Sequence, residues 1–247
     1  MAGRARRRLS IRTSTPRTGH TYPRGMVIRA REVGALRRRW DREEYRDDRR
    51  DVIEMLLDPS APTELRGADL AGITLNSTKA LDFWSAWLHS ARLEHVDFRF
   101  AYLASTLTEA SITDCDFTRA VLERATMHHA SVTDSLFVQT TLRHVSMDNA
   151  RFDRCTFTKA RFDGSLLGTT TSGGRGVVFR ACDFSGATFT GQEWRQARFI
   201  DCEFRDAVVT KSDFGAARFS GCRFPSGFWD PDVIARATFD GDSPLLA

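Results

Sequence analysis

The sequence predicts an all-β solenoid, a chain that coils around a solid apolar interior and climbs as it coils. The first observation is a period of five, because from Ser105 onward every fifth residue is apolar over most of the chain. The second is that the residue two positions before each apolar centre is mostly small. A period of five fits neither an α-helix, with about 3.6 residues per turn, nor a flat strand. It fits a chain that turns a corner every five residues and points two side chains inward along each side.

The pentads form two blocks, residues 105–168 and the stretch that begins at Val177. The centres of the first block are Leu107, Ile112, Phe117, Leu122, Met127, Val132, Phe137, Leu142, Met147, Phe152, Phe157, Phe162 and Leu167. Those of the second are Phe179, Phe184, Phe189, Trp194, Phe199, Phe204, Val209, Phe214, Phe219 and Phe224. No single coil can bury its own faces, so we expect stacked neighbours to provide the stability.

This pattern resembles the pentapeptide-repeat family, whose motif is roughly A(D/N)LXX. Good local matches are Ala68-Asp69-Leu70, Cys115-Asp116-Phe117, Cys182-Asp183-Phe184 and Ser212-Asp213-Phe214. The resemblance covers about residues 65–229 and implies a right-handed quadrilateral parallel β-helix with four pentads in each coil. The acids at the second motif position, with Asp97 among them, then belong to the repeat and are not catalytic pairs.

Four pentads per coil require residues twenty apart to stack, and the sequence supports this independently. Like residues recur at that spacing in four columns: Phe117, Phe137 and Phe157; Met127 and Met147 above Leu107; Cys182, Cys202 and Cys222; and Phe184, Phe204 and Phe224. About eight coils at a strand spacing of ~4.8 Å predict a rod of roughly 40 Å.

Three irregularities interrupt the register. One residue is missing near 101–105, and another irregularity lies at 78–81. The stretch 168–176 has four glycines and no apolar centre, and it is predicted to be a loop that leaves the rod. It is either a plain surface bulge or a loop that contacts a partner, with Arg175 as the candidate contact residue.

The N-terminal residues form two further segments. Residues 1–27 are predicted to be a disordered basic tail, since residues 1–50 hold sixteen Arg against six acids. Three interpretations are open: the tail is inert, translation begins at Met26, or the tail makes a weak nucleic-acid contact. No apolar stretch follows the arginines, so an export signal is not expected. Residues 28–64 are predicted to form a helical cap or partner-binding arm, with helix over 28–57.

Residues 230–247 are predicted to form a short C-terminal helical cap. Asp230 is suited to an N-cap and Pro231 to the first helical position. Phe228, Trp229 and Phe239 could cover the last coil. Resemblance to the family also implies a homodimer through this end.

The cysteines and histidines give no sign of a catalytic or metal site. All five cysteines occupy the small inward position of a pentad, which favours buried, reduced thiols in a cytoplasmic protein. His128 and His129 occupy outward positions and are expected to be solvated. No phosphate-binding, nucleophile or dinucleotide motif is present, so we expect no enzyme activity, no cofactor, no metal and no membrane insertion.

Outward apolar side chains are the candidate partner contacts. They are Trp84, Trp87, Phe100 and Tyr102 near the start of the repeats, and Leu136 and Val138 on either side of Phe137. The N-terminal helix could cover the first group through Trp40 and Leu56, or the group could form an exposed patch.

Two functions follow from these observations. The first is a non-enzymatic scaffold for protein–protein interaction. The second is implied by the family resemblance: a DNA mimic that binds DNA gyrase or topoisomerase IV and confers resistance or self-immunity to antibiotics such as quinolones or albicidin. Residues 65–229 carry nineteen Lys plus Arg and eighteen Asp plus Glu, a net charge of +1. Since a DNA mimic should be acidic over at least one face, this balance favours the scaffold.

Overall fold

The four-walled solenoid is built from short parallel strands that stack from coil to coil. The structure, a computed structural model, describes residues 30–57, 63–75, 86–164, 172–224 and 229–241. Each coil has four straight sides, which we call walls 1 to 4 in chain order. The predicted all-β solenoid with an N-terminal helix is confirmed. Residues 1–29, the tail of the sequence prediction included, lie outside the described residues.

Walls 1 and 3 are continuous parallel sheets, with strands numbered in chain order. Wall 1 contains β1 (Glu64–Arg66), β4 (Arg92–Glu94), β7 (Ser111–Thr113), β9 (Ser131–Thr133), β11 (Arg151–Asp153), β13 (Val178–Arg180), β15 (Arg198–Ile200), β17 (Arg218–Ser220) and β18 (Thr238–Asp240). Wall 3 contains β2 (Thr74–Leu75), β5 (Tyr102–Leu103), β8 (Val121–Glu123), β10 (Thr141–Arg143), β12 (Arg161–Asp163), β14 (Thr188–Thr190) and β16 (Val208–Thr210).

Walls 2 and 4 are joined mainly by single-residue bridges. On wall 2 the bridging residues are Asp69, Asp97, Asp116, Leu136, Thr156, Asp183, Glu203 and Arg223. On wall 4 they are Thr106, Thr126, Ser146, Gly173, Glu193 and Asp213, and β3 (Ala86–Trp87) pairs with β6 (Ser105–Thr106) at its start. Every wall therefore has its backbone groups paired between coils.

In the regular coils, a residue with positive φ makes each corner. In one coil the corners are Asp114, Arg119, Arg124 and His129, with φ between 53° and 58°. This left-handed conformation recurs every five residues and turns the chain onto the next wall. The corners thus explain the period of five at the level of the backbone.

The core consists of stacked side-chain ladders. The wall 2 ladder contains Phe98, Phe117, Phe137, Phe157, Phe184, Phe204 and Phe224, with successive ring centroids 4.8–5.1 Å apart. The two phenylalanine columns predicted separately are therefore one ladder. Burial of these rings supplies a large apolar stabilisation, since a Phe side chain contributes about 1.5–3 kcal/mol when fully buried.

The missing residue and the insertion both lie at the corner between wall 3 and wall 4. On wall 1 Leu93 pairs with Ile112, a step of 19 residues. Bridging and strand pairing locate the missing residue between Leu103 and Leu107. Phe152 pairs with Phe179, a step of 27, so seven residues are inserted and the ladders continue in register. The predicted irregularity at 78–81 lies outside the described residues.

The predicted loop boundaries 168–176 are wrong at their C-terminal end. Residues 172–176 belong to the coil, because Gly173 bridges both Ser146 and Glu193. Gly174 follows it at the inward centre position of wall 4, whereas the predicted centre Leu167 lies outside the described residues. The missing side chain is tolerated because Trp194, one coil later, fills the interior and contacts Phe162 and Phe179 at ring distances of 5.8 Å.

The N-terminal helix is interrupted, in contrast to the single helix predicted over 28–57. Helix α1 (Ala30–Arg39) is followed by a turn, a 3₁₀ segment (Glu43–Tyr45) and α2 (Arg46–Leu57). The interruption follows from the position of Trp40, whose Nε1 donates to the Ala71 carbonyl at 2.9 Å. The turn lets α1 and α2 contact different parts of the first coils.

At the C-terminal end the solenoid continues past the predicted limit of residue 229. Asp230 caps α3 (Pro231–Ile234) as predicted, accepting from the Asp232 amide at 3.0 Å. Strand β18 then pairs with β17 and adds one more wall 1 strand. Trp229 is 1% exposed, and its Nε1 donates to the Ala207 carbonyl, so it closes the core here. Phe228 lies outside the described residues.

Candidate functional site

Along the described coils, the interior is filled by stacked apolar side chains. The six repeat centres named for the core are buried: Phe117, Phe137, Phe157, Phe184, Phe204 and Phe224. All five cysteines are buried and unpaired on wall 2. Ser135 holds the same position between Cys115 and Cys155, and it accepts a hydrogen bond from the Cys115 amide at 3.1 Å. Burial raises the pKa of the Cys115 thiol to about 12, which keeps it protonated and unreactive.

The acids of the repeat motif bond to their own backbone. Each carboxylate accepts a hydrogen bond from the backbone N–H two residues later, at 2.7–3.0 Å. The acids are Asp97, Asp116, Asp183 and Asp213. Such a contact fixes the turn that follows each bridge. Burial raises the pKa of Asp116, although its hydrogen bonds to Thr118 oppose this effect. The positions of these acids agree with a structural role in the repeat.

Helix α1 lies against the outside of the first coil. Arg39 donates to both carboxylate oxygens of Asp69, at 2.5 and 2.8 Å. Burial raises the pKa of Asp69, but the hydrogen bonds and charge of Arg39 outweigh it and the net shift is downward. Gly72 touches the helix so closely that a Cβ there would lie 2.7 Å from the Leu36 backbone. The helix is therefore attached by an ion pair, the Trp40 hydrogen bond and a glycine contact.

This attachment corrects part of the predicted exposed patch. Phe100 is 2% exposed, and its carbonyl accepts a hydrogen bond from Arg37 Nε at 3.3 Å, so it is no outward contact. Tyr102 is half-buried, and its hydroxyl donates to Glu123. Burial, followed by that carboxylate, raises the pKa of Tyr102. Trp84 and the side chain of Trp87 lie outside the described residues.

The remaining candidate contacts do not meet at one place. Leu136 and Val138 are half-buried on wall 2, whereas Arg175 is exposed on wall 4. Tyr102 lies on wall 3. His128 is half-buried and His129 exposed, both at the edge of wall 4. The structure thus distributes the predicted contact residues over three walls and forms no single site from them.

A groove that sequence reasoning missed runs along wall 4 near the C-terminal end. It has a volume of about 550 Å³, and its charged and polar lining includes Asp148, Arg175, Glu193, Arg195, Gln196 and Arg236. Arg195 lies 2.9 Å from Asp213, and Arg236 lies 4.0 Å from the same carboxylate. The twenty-residue spacing of Arg175 and Arg195 was the available sequence signal. Since acids and bases alternate, the groove has no strong charge of either sign.

Nothing else among the described residues forms a reaction centre. In that part of the chain no three His, Cys, Asp or Glu side chains are placed to hold a metal ion. No helix in the described ranges is both long enough and apolar enough to span a bilayer. The accessible features are therefore four polar walls and the helix attached to the first coil.

Comparison with known proteins agrees with this architecture. The family model for pentapeptide repeats, in eight copies, matches residues 104–137, 135–168 and 176–224. No curated protein sequence matched the chain. Among solved structures, two trypsin-treated forms of QnrB1, a plasmid-mediated fluoroquinolone resistance protein, superpose with TM-scores of 0.55 and 0.54. Each alignment has 14% identity and covers 72% of this chain and 79% of the other. The five-residue period, the four-walled coil and the family match together show that this chain belongs to the pentapeptide-repeat family.

Proposed function

We propose that this protein is a non-enzymatic scaffold that binds a protein partner through its outer walls. The observation that carries the proposal is the combination of a solid, fully packed interior with polar walls held at fixed spacing. Among the described residues, the one large apolar side chain that is well exposed is Val208, at 52%. The partner therefore has to be recognised by polar and charged side chains. The buried free thiols suit a reducing compartment, which we take to be the cytoplasm.

Photo-crosslinking tests the scaffold function. A photoreactive amino acid is introduced at one exposed position per wall: Ser131 on wall 1, Arg205 on wall 2, Val208 on wall 3 and Arg195 on wall 4. A scaffold should give a discrete crosslinked protein from one wall or two adjacent walls in the native cell. A chain that gives crosslinks from none of the four walls, while its melting temperature is unchanged, would rule out the function.

The alternative is protection of DNA gyrase or topoisomerase IV. It is supported by the likeness in fold to QnrB1. The charges of wall 2 oppose it: this wall carries most of the motif acids, but Arg99, Arg205 and Arg223 lie among them. Arg99 also pairs with Asp97 at 2.6 Å. An acidic surface that imitates DNA is therefore not favoured.

A supercoiling assay decides this alternative. Purified gyrase is inhibited with a quinolone or an albicidin-type toxin, and this protein is added over a concentration series. The scaffold proposal expects no rescue of supercoiling. Rescue at roughly stoichiometric protein would instead identify a topoisomerase as the partner.

A further inference from the structure

The middle coils carry a charge asymmetry that their composition conceals. Residues 111–164 hold seven Lys plus Arg and seven Asp plus Glu, so the stretch is neutral. Pairing of the strands assigns five of the bases and two of the acids to wall 3 and its two flanking corners. The other walls therefore receive two bases and five acids. A neutral stretch of sequence thus has one wall with a charge of +3 and a remainder with −3.

The five bases are Arg119, Arg124, Arg143, Lys159 and Arg161, and we call them the wall 3 basic patch. Each of three successive wall 3 strands contributes one or two of them. Arg119 and Arg124 flank β8, and Arg143 is the last residue of β10. Lys159 precedes β12, and Arg161 is its first residue. With a strand spacing of ~4.8 Å, the patch extends about 10 Å along the rod from the first of these coils to the third.

Most of the patch is not neutralised from within. Arg143 lies 3.8 Å from Glu123, and Arg119 donates to Gln139 at 2.6 Å. Arg124, Lys159 and Arg161 are exposed, and none of them makes an ion pair with a described residue. By contrast, Arg154 on wall 1 is paired with both Asp134 and Asp153. In these middle coils wall 3 therefore has three exposed bases without an ion pair to a described residue, whereas wall 1 has one, Arg151.

We propose that the wall 3 basic patch binds a short acidic segment of a protein partner, rich in Asp and Glu. This inference rests on the proposed scaffold function and specifies the wall and the chemistry of the contact. Guanidinium and ammonium groups donate charge-assisted hydrogen bonds to carboxylates, and a complementary charged surface speeds encounter. The patch has five side chains, whereas a standard interface has about 20–30 residues a side, so it fits a flexible segment better than a globular domain.

One feature of wall 3 favours an acidic protein segment over a nucleic acid, and a second limits how that segment can bind. Surfaces that bind single strands combine basic grooves with aromatic rings on which bases stack. The described outward residues of wall 3 include one aromatic ring, Tyr102, whose hydroxyl already donates to Glu123. The wall's backbone is paired between coils, so strand addition is excluded and binding has to use the side chains.

Fluorescence anisotropy of the full chain tests the proposal. The probe is a labelled Glu/Asp peptide of about eight residues, long enough at ~3.3 Å per residue to span the patch. One variant combines Arg124→Gln, Lys159→Gln and Arg161→Gln. The matched control combines Arg180→Gln, Arg198→Gln and Arg218→Gln, three exposed arginines of wall 1 with the same total charge change. Melting curves establish that both variants are folded.

We expect the wall 3 variant to lose about tenfold in affinity and the wall 1 control to stay within about twofold. Binding by the unaltered chain should weaken strongly as salt rises to ~0.5 M. Equal losses in both variants, or no peptide binding at low salt, would overturn the proposal. Tighter binding of a labelled oligothymidylate at the same wall would also overturn it. The crosslinking experiment distinguishes failure of this proposal from failure of the scaffold function. Crosslinks confined to other walls would contradict the acidic-segment proposal but still support the scaffold function.

Discussion

At corner positions the backbone conformation is fixed while the residue type varies. Ala216 has φ of 57°, although an L-residue in this conformation costs roughly 1–2 kcal/mol. Other corners hold glycine, as at Gly186 and Gly191. The coil therefore imposes the left-handed conformation on whichever residue falls at the fifth position, and corners are places where stability can be gained.

Replacing Ala216 with glycine should stabilise the fold. Relief of the left-handed conformation outweighs the ~0.4–1 kcal/mol entropy cost of a new glycine, so we expect a gain of up to about 1 kcal/mol. Ala235 is the control: it is exposed with φ of −53°, and Ala235→Gly should cost about 0.5–1 kcal/mol. Urea denaturation measures both. A loss of stability in both variants would show that corner strain is absent.

The buried thiols predict a loss of stability at alkaline pH. Burial raises the pKa of Cys115 to about 12, against about 9 in the unfolded chain. The folded state holds the proton more tightly, so its stabilising contribution is complete below about pH 9. The contribution then falls by about 1.4 kcal/mol per pH unit as pH rises toward 12.

Urea titrations at two alkaline pH values check this loss against a Cys115→Ser variant. Serine is a conservative control because Ser135 already occupies the equivalent position one coil later. The variant should lose stability less steeply than the unaltered chain, since other titrating groups are common to both. Parallel curves would mean that this thiol does not contribute.

At the scale of elements, one of the contacts that attach α1 is a close approach between two backbones. Gly72 has φ of +73°, and a Cβ there would lie 2.7 Å from the Leu36 backbone. Gly67 has a similar φ of +62° with nothing within 4 Å of an added Cβ. Substitution of either glycine therefore introduces similar backbone strain, but only Gly72 is in contact with the helix.

We expect Gly72→Ala to detach α1 and Gly67→Ala to leave it in place. Both should lose about 1 kcal/mol from backbone strain, and the first should lose more because the helix backbone cannot yield without moving. Limited trypsin digestion at the arginines of α1, followed by mass spectrometry, reports the attachment. Identical cleavage rates in the two variants would contradict it.

At the scale of the whole molecule, ladder continuity survives an insertion of seven residues. Phe157 and Phe184 stack at 5.0 Å although 27 residues separate them. Deleting residues 165–171 restores a twenty-residue step, so we expect a melting temperature within a few degrees of the unaltered chain.

A longer deletion provides the control. Removing residues 165–173 also takes out the inward Ser172, which is 3% exposed, and the bridging Gly173. Such a coil would be two residues short, so we expect a large fall in melting temperature or two separate transitions, because neighbouring coils stabilise one another. Thermal melts followed by circular dichroism compare the two deletions. Equal stability would mean that the coil length is not fixed at twenty.

The oligomeric state belongs to the same scale. The homodimer through the C-terminal end, implied by the family resemblance, stays a prediction. Light scattering measures it directly, with a variant that ends before β18 as the comparison. The wall 3 basic patch lies in the middle coils, so its peptide binding should not depend on the outcome.

The sequence by itself determined the coil, its inward positions and the twenty-residue stacking. This was possible because one local rule, a small residue and a large apolar residue in each pentad, repeats along the chain. The structural use of the motif acids was equally local, since Asp97 and its counterparts bond to an amide only two residues away.

Only the tertiary structure decided which wall each charge occupies and what covers the first coil. Arg154 and Arg161 are seven residues apart, yet one lies in an ion pair at a corner of wall 1 and the other is unpaired on wall 3. Phe100 is buried because α1 lies over it, and Trp194 fills the space left by Gly174. These outcomes depend on the exact residue count through each irregularity and on contacts between distant segments, which no five-residue pattern records.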